Sequence, residues 1–271
     1  MTKIIQKHDE NHVFLLLKKS YFIFVVIKVF NLNKFYMRNN HVNQDCLTCK
    51  QRLNSIFCEL KNEELLELNQ QKFCSLYKKG QVLFHEGANP HALYIINSGK
   101  VKLLVNVDGK EQIVRLGQNG DTIGYRALLS KDKYSATAIT MEDSKICTIP
   151  SQFFFKIIEE NIKVAMSYTS LLAKELREAQ TKMAELALKP VRERIAEALI
   201  VLKETFGYDQ DGQTINVNIS REEIAQLAGT ATETSIRLLS ELKKSNIIDF
   251  DKKRIKILEP KKLLVEANLW D

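Results

Sequence analysis

The sequence predicts an α+β protein made of a jelly-roll type β-roll, a long helix and a C-terminal winged helix-turn-helix. Three observations lead to this fold class. Short Val/Ile/Leu/Tyr runs punctuated by glycines fill residues 76–150, an apolar heptad seam follows them, and two capped short helices stand before a hairpin near the end. A chain of 271 residues is long enough for two compact domains of this kind.

The first 36 residues differ in composition from the rest of the chain. Six Lys oppose one Asp and one Glu there, which accounts for +4 of the formal net charge of +7. The apolar runs 13–17 and 21–27 are separated by lysines, and neither approaches the roughly 20 apolar residues of a membrane span. We interpret residues 1–36 as an upstream extension or tail, with Met37 as the natural start. The alternative is a membrane-associated amphipathic segment.

Charge and cysteine content narrow the function classes. Residues 190–271 hold 13 Lys and Arg against 14 Asp and Glu, so overall basicity does not by itself indicate nucleic-acid binding. Five cysteines, an odd number, and no secretion signal favour a reducing cytoplasm over a disulfide framework. No Ser/His/Asp set, carboxylate pair or phosphate-binding glycine pattern stands out, so we expect no enzyme activity.

Residues 37–150 are predicted to form the sensor domain, a β-roll with a cysteine-containing segment at its N-terminal end. Seven of the ten glycines lie between residues 80 and 124, and "VDGK" is a hairpin signal. The predicted strands lie in "QVLFHEG", "ALYIINSG", "KVKLLVN", "EQIVRLG", "YSATAIT" and "KICTIP".

After Pro150 the apolar period changes to alternating steps of three and four. The seam runs from Ile158 to Leu186, and Thr169 is its only polar member. It predicts one helix over 151–189, which could pack on its own domain but which we expect to pair with its twin in a parallel homodimer. The predicted dimer contacts are Ile162, Ala165, Leu172, Leu176, Ala179, Met183 and Leu186.

Residues 190–271 are predicted to form the second domain. "VRERIAEALIVLKETFG" is an amphipathic helix, and "YDQDGQTINVNI" is read as a loop and strand pair. Ser220 with Glu223 and Thr230 with Glu233 form two capping-box patterns ten residues apart, separated by the turn "LAGT". Two short helices across such a turn form a helix-turn-helix, which the hairpin "IIDFDKKRIKIL" follows.

The start of the second short helix carries groups that can read DNA from a major groove. Arg237 can donate two hydrogen bonds to guanine, and Glu233 can accept one from cytosine. Hydroxyls, helix N-terminal N–H groups and basic side chains suit phosphates. We place Thr232, Glu233, Ser235 and Arg237 on one outward face, the alternative being an ordinary capped surface helix. The predicted DNA contacts are Ser220, Arg221, Thr232, Glu233, Thr234, Ser235, Arg237, Lys243 and Lys244.

The stretch "ISREEIAQLAGTATETSIRLLSELKKSNII" resembles the helix-turn-helix of the cAMP receptor protein/FNR (Crp/Fnr) family of transcription regulators. The resemblance covers nearly everything after residue 45. It implies a cyclic-nucleotide-binding-like roll, base reading by Glu233 and Arg237, and palindromes with TGA-like half-sites whose outer bases depend on Ile236. The implied partners are double-stranded promoter DNA and a second copy of the chain, with RNA polymerase as a further candidate.

The resemblance also implies that the roll senses a signal, but the nucleotide-binding residues differ. Tyr125 stands where cyclic-nucleotide binders have a Glu, and Tyr134 stands where they have the Arg that pairs with the phosphate. Arg126 is one position away from the Glu position. We therefore expect that cAMP is not the ligand, and a cyclic-nucleotide effector is kept as an alternative.

The cysteines offer a second kind of sensor. FNR-type oxygen sensors hold a [4Fe-4S] cluster with an N-terminal cysteine group and one roll cysteine. Cys46-x2-Cys49-x8-Cys58 and Cys147 resemble that set, although the spacing before Cys58 is wider. Three alternatives stay open: an iron–sulfur cluster bound by these four cysteines, a zinc ion bound by the Cys-x2-Cys pair, or no bound metal. In the last case Cys58, Cys74 and Cys147 are small buried apolar residues.

Overall fold

The structure is a computed structural model that describes residues 44–269. The interpretation of residues 1–36 and of Met37 lies outside the described residues. No helix within 44–269 is long and apolar enough to cross a membrane.

Eight strands form two four-stranded antiparallel sheets, with strand orders β1-β8-β3-β6 and β2-β7-β4-β5. This is the predicted β-roll. Its strands are β1 Phe73–Tyr77, β2 Val82–Phe84, β3 Ala92–Ser98, β4 Val101–Val107, β5 Lys110–Gly117, β6 Thr122–Ile123, β7 Thr137–Thr140 and β8 Ser144–Pro150.

Both sheets contribute to one apolar interior. Phe84 and Val101 come from one sheet, and Ile96 and Ile146 from the other. The short apolar runs of the sequence thus supply the interior that the two sheets share.

The turn between β4 and β5 confirms the "VDGK" hairpin signal. Asp108 and Gly109 both have positive φ, 52° and 78°, as a type I′ turn requires. Strands β1 and β6 are the two roll strands that the sequence patterns did not predict.

Helices and one further hairpin complete the chain. Two short 3-10 helices cover Lys50–Asn54 and Ile56–Glu59, and the α-helices are α1 Asn62–Gln71, α2 Tyr125–Ser130, α3 Ser151–Glu160, α4 Ile162–Leu188, α5 Val191–Phe206, α6 Arg221–Ala228, α7 Thr232–Lys244 and α8 Pro260–Glu266. The hairpin, here called the wing, consists of β9 Ile248–Asp251 and β10 Arg254–Ile257.

The prediction of one helix over 151–189 is wrong, because the chain breaks at Asn161. This residue is extended, with φ −123° and ψ 96°, and its side chain accepts hydrogen bonds from the N–H groups of Lys163 and Val164. An Asn in this role starts a new helix whatever the heptad pattern around it. Ile158 of the seam therefore lies on α3, while the rest of the seam lies on α4.

The C-terminal domain has its own core, formed by α5 to α8 and the wing. Ile113 of β5 and Met141, which follows β7, are buried in the same apolar cluster. The stretch "YDQDGQTINVNI" is not a strand pair. Its contacts are single β-bridges, one between Tyr208 and Ile215 and one between Thr214 and Lys256 of the wing.

Candidate nucleic-acid interface

The first helix of the pair, α6, begins and ends as its sequence predicts. Ser220 Oγ accepts from the Glu223 N–H at 3.1 Å, and Glu223 Oε2 accepts from the Ser220 N–H at 2.8 Å, which completes the capping box. Gly229 ends the helix with φ 63°, and a Cβ there would lie 2.7 Å from Leu186 Cδ2. The tight turn into α7 therefore depends on glycine both for its backbone and for its space.

The second helix, α7, is not capped as predicted. Its N-cap residue is Ala231, and no side chain caps it. Thr230 instead belongs to the turn, where its N–H donates to the Ala225 carbonyl at 3.0 Å. The capping role predicted for Thr230 is therefore wrong. The first N–H groups of α7 are left for an outside acceptor, which suits a phosphate.

Ser235 does not lie on the outward face, and that prediction is wrong. Its side chain is fully buried, and its Oγ donates to the Arg221 carbonyl at 3.3 Å. Leu238, Leu239 and Leu242 are buried beside it. Residues three and four apart share a helix face, so Ser235 belongs to the inner face of α7 and joins it to α6.

The outward face of α7 is the stripe of exposed side chains on the opposite side. Thr232 and Thr234 are half-buried in the first turn. Sequence reasoning missed Ser240, which steps of three and four from Glu233 would have found. The outward face consists of Glu233, Ile236, Arg237, Ser240 and Lys244.

Arg237 is held in place by an acid that sequence reasoning also missed. Its Nη1 lies 2.6 Å from Glu241 Oε1, one turn further along α7, while its side chain stays 64% exposed. Glu241 Oε2 in turn pairs with Arg192 Nη1 of α5 at 2.9 Å, and Arg192 Nε lies 2.6 Å from Glu266 of α8. Hydrogen bonds from Arg192 hold the pKa of Glu266 below its usual range. Side chains from three helices thus hold Glu241 beside the exposed Arg237 guanidinium.

Two of the predicted phosphate contacts bind the wing. Arg221 Nη1 donates to the Lys252 carbonyl at 2.7 Å, and its guanidinium carbon lies 4.0 Å from the centre of the Phe250 ring. Lys243 Nζ lies 2.7 Å from Asp249 Oδ1, and this hydrogen bond lowers the pKa of Asp249. Arg221 and Lys243 therefore fix the wing against both helices.

The wing tip adds two cations that the sequence-based set left out. Lys252 and Lys253 are exposed in the turn between β9 and β10. Because the Lys252 carbonyl is bonded to Arg221, this turn lies beside α6. The charge run "DKKR" in the hairpin was the signal that could have found them.

The roll contacts α6 directly. Lys102 Nζ of β4 lies 2.8 Å from Glu223 Oε1, and Gln226 Nε2 donates to Glu111 of β5 at 3.1 Å. Burial alone would raise the pKa of Glu223, but the hydrogen bonds from Lys102 and Ser220 outweigh it and lower that pKa. The acid that caps α6 is therefore also the acid that joins it to the roll.

The two tyrosines at the nucleotide positions are part of the roll interior. Tyr125 is fully buried, and burial raises its pKa to about 12. The Tyr134 ring stacks on Phe84 at 3.9 Å between ring centres, and its hydroxyl donates to the Ala92 carbonyl at 3.2 Å. Both rings thus occupy space inside the roll.

A buried carboxylate lies where the roll meets the long helix. Glu175 of α4 is 7% exposed and pairs with Arg115 at 2.8 Å and with Arg126 at 2.7 Å. A cavity of about 960 Å³ opens beside these three residues, between β5, α4 and α5. One carboxylate from the same chain thus pairs with both arginines that line the cavity and offsets one of their two positive charges.

The predicted cluster ligands do not form one site. Cys147, predicted as the fourth cluster ligand, is joined to Cys74 by a disulfide in this structure. Cys46 is buried, and burial raises its pKa, whereas Cys49 is partly exposed and Cys58 is exposed. Within residues 44–269 no three His, Cys, Asp or Glu side chains are grouped to hold a metal ion.

The predicted dimer contacts divide into two groups on α4. Ile162, Leu176 and Met183 are 73%, 62% and 69% exposed, so they present apolar side chains to the outside. Leu172 packs on the roll core, and Leu186 touches the Gly229 turn. Of the remaining two, Ala165 is half-buried and Ala179 is exposed.

Two family models match the chain. A cyclic nucleotide-binding domain matches residues 74–161, and a Crp-like helix-turn-helix domain matches residues 193–265. The first covers the roll from β1 to α3, and the second covers the domain that carries the outward face of α7.

Two proteins and one solved structure resemble the chain over most of its length. The cyclic AMP receptor protein of Thermus thermophilus is 32% identical over 174 residues, 64% of this chain and 78% of that protein. The fumarate and nitrate reduction regulatory protein of Vibrio cholerae is 28% identical over 230 residues, 83% of this chain and 90% of that protein. The solved structure of a CRP-family transcriptional regulator from Thermus thermophilus superposes with a TM-score of 0.60 at 26% identity, covering 72% of this chain and 96% of that one.

Proposed function

The chain belongs to the Crp/Fnr family of DNA-binding transcription regulators, and we propose that it binds palindromic promoter sites in the cytoplasm as a homodimer. The observation that carries the proposal is the outward face of α7, where Glu233 and an oriented Arg237 stand on an exposed stripe. A carboxylate and a guanidinium are the groups that read cytosine and guanine edges in a major groove.

Affinity comes from contacts around these two side chains. The uncapped N–H groups of α7 and the wing-tip cations Lys252 and Lys253 contact phosphates, as does Lys244. Arg221 and Lys243 act mainly by holding the wing. Since the domain is close to neutral overall, binding depends on these few placed groups and falls as salt is raised.

The second subunit is bound through α4. Three of its apolar side chains are exposed, namely Ile162, Leu176 and Met183. Pairing with α4 of a second subunit would remove this apolar surface from water, which is energetically favourable. Two α7 helices related by a two-fold axis then enter successive major grooves about 34 Å apart. RNA polymerase contacts the DNA-bound dimer.

The roll receives a signal other than cAMP. Tyr125 and Tyr134 fill positions that a nucleotide phosphate and ribose would need, and Glu175 already pairs with both Arg115 and Arg126. Calorimetry with cAMP should give no binding heat. Tight binding would restore the cyclic-nucleotide alternative.

Selection of bound duplexes from a random library tests the DNA proposal. The full chain should enrich a palindrome whose half-sites contain a G·C pair read by Arg237, with half-site centres about 10 base pairs apart. If no sequence were enriched, or only an asymmetric single half-site, the proposal of a homodimer that binds a palindrome would be contradicted.

A further inference from the structure

We propose that Cys74 and Cys147 form a reversible thiol–disulfide pair, which makes the roll responsive to low-molecular-weight disulfides. The two residues are direct partners in the antiparallel pairing of β1 and β8, and their sulfurs are bonded although 73 positions separate them in sequence. In a reducing compartment a protein disulfide is commonly a transient or redox-sensing one. The inference rests on the proposed function, since its consequence is a change in DNA binding.

The pair lies under a short segment that two lysines hold. Lys145 stands two residues before Cys147 on the same face of β8, and its Nζ donates to Gln44 Oε1 at 2.7 Å. Lys72, just before β1, donates to the Gln44 carbonyl and to Asn69 Oδ1. The segment from Gln44 therefore covers the sheet face that carries the pair.

Access to the pair requires only local opening. Both cysteines are 4% exposed, but within residues 44–269 β1 is a five-residue strand at the end of the strand order of its sheet, next to β8. Short edge strands open at a lower free energy than central strands, so a small reagent can reach the sulfurs without global unfolding.

The chemistry balances with a disulfide as oxidant. The Cys74 thiolate, having released a proton, attacks one sulfur of oxidised glutathione and expels one glutathione thiolate. The Cys147 thiolate then attacks the Cys74 sulfur of this mixed disulfide and expels the second. Two cysteine thiols and one glutathione disulfide thus become one protein disulfide and two glutathione thiols, and excess reduced glutathione reverses the exchange.

Strand β8 connects the pair to the rest of the molecule. Pro150 ends β8 and is also the N-cap of α3, so no loop separates the strand from the helices that lead to α4. The sulfur atoms of two thiols must lie further apart than two bonded sulfurs. In a close-packed interior, this change in distance shifts the neighbouring residues. Reduction therefore displaces β8 relative to β1 and changes the position of α3.

Peptide mapping of the full chain tests the bond itself. Trypsin cuts after lysine and arginine, which leaves Cys74 in peptide 73–78 and Cys147 in peptide 146–156, each as its only cysteine. After incubation with oxidised glutathione, these two peptides should be found linked, and excess reduced glutathione should separate them. A linkage that never forms, or that reduced glutathione cannot break in the folded protein, overturns the proposal.

DNA affinity tests the consequence. The dissociation constant of the oxidised chain should differ from that of the reduced chain by about fivefold, the lower end of typical allosteric coupling. Cys74→Ser and Cys147→Ser should each abolish the difference, and Cys58→Ser, at an exposed free cysteine, should keep it. Equal affinities of the two wild-type forms overturn the proposal.

Two further outcomes separate the possible failures. If neither form binds DNA while the peptides link reversibly, the proposed function fails and the redox pair stands. If anaerobically purified chain carries iron that Cys147→Ser removes and Cys74→Ser does not, Cys147 is a metal ligand and the pair is overturned.

Discussion

Replacing Arg237 by alanine separates base reading from folding. The side chain is 64% exposed and its pair with Glu241 is an exposed helical i,i+4 pair, worth about 0.3–0.5 kcal/mol of stability. A bidentate contact to guanine is worth about 1–3 kcal/mol, and the homodimer loses it in both half-sites, so the dissociation constant of the selected duplex should rise by about 30-fold or more. The free energy of unfolding should hardly change.

Fluorescence anisotropy with two duplexes measures this difference. The first duplex carries the selected half-sites, and the second has the expected guanine replaced in both of them. Wild type should discriminate between the two duplexes, and Arg237→Ala should bind both alike. Arg237→Lys keeps the charge but loses the planar pair of donors, so it should recover affinity more than discrimination. If Arg237→Ala weakened both duplexes equally and kept the discrimination, Arg237 would be a phosphate contact and the assignment of α7 as the base-reading helix would be wrong.

Three further changes test the dimer, the helix start and the roll contact. Met183→Glu should leave a monomer in sedimentation, since it puts a charge on the apolar side of α4; Ala184→Glu, exposed beside it, is the matched control, and dimers of both variants would contradict the α4 interface. Ser220→Ala should lower the free energy of unfolding in urea by about 1 kcal/mol through loss of the α6 cap, and an unchanged midpoint would argue against that cap. The lowered pKa of Glu223 means that its ionised form stabilises the fold above the pKa it has in the unfolded chain, and that this stability is lost as pH falls through the folded pKa. Urea midpoints between pH 7 and pH 3 should therefore fall more steeply for wild type than for Glu223→Gln, and parallel curves would show that the pair with Lys102 contributes nothing.

The sequence is sufficient where structure follows from local chemistry. The capping box at Ser220, the Asp108–Gly109 turn and the α5 end at Gly207 are all set by residues within one turn of each other. The short apolar runs between glycines likewise predict six of the eight roll strands.

The errors occurred where two local signals compete. The heptad seam continues through Asn161, but the side chain of that residue caps the next helix and interrupts the seam. Ser235 is polar and was placed outside, whereas its spacing from Leu238, Leu239 and Leu242 puts it inside with its hydroxyl on a backbone carbonyl. In both cases one side chain makes a hydrogen bond that the hydrophobic pattern does not encode.

Contacts between distant segments could not be predicted from one sequence. The pairing of Cys74 with Cys147 depends on the register of β1 against β8, and a shift of one residue would put the two sulfurs on opposite faces. The position of Glu175 between Arg115 and Arg126 depends in the same way on how α4 lies against the roll.

Ile113 and Met141 have a consequence for how this protein can be recombined. Because these two roll residues are buried in the core of the C-terminal domain, the β-roll supplies part of the hydrophobic core of that domain. A chimera that joins this roll to the winged helix of a relative must rebuild that shared interior or leave a void under α6, and a void in a packed core lowers stability. The two domains are therefore not interchangeable. Chimeras that fold stably should keep β5 together with the C-terminal domain whose core it helps to form.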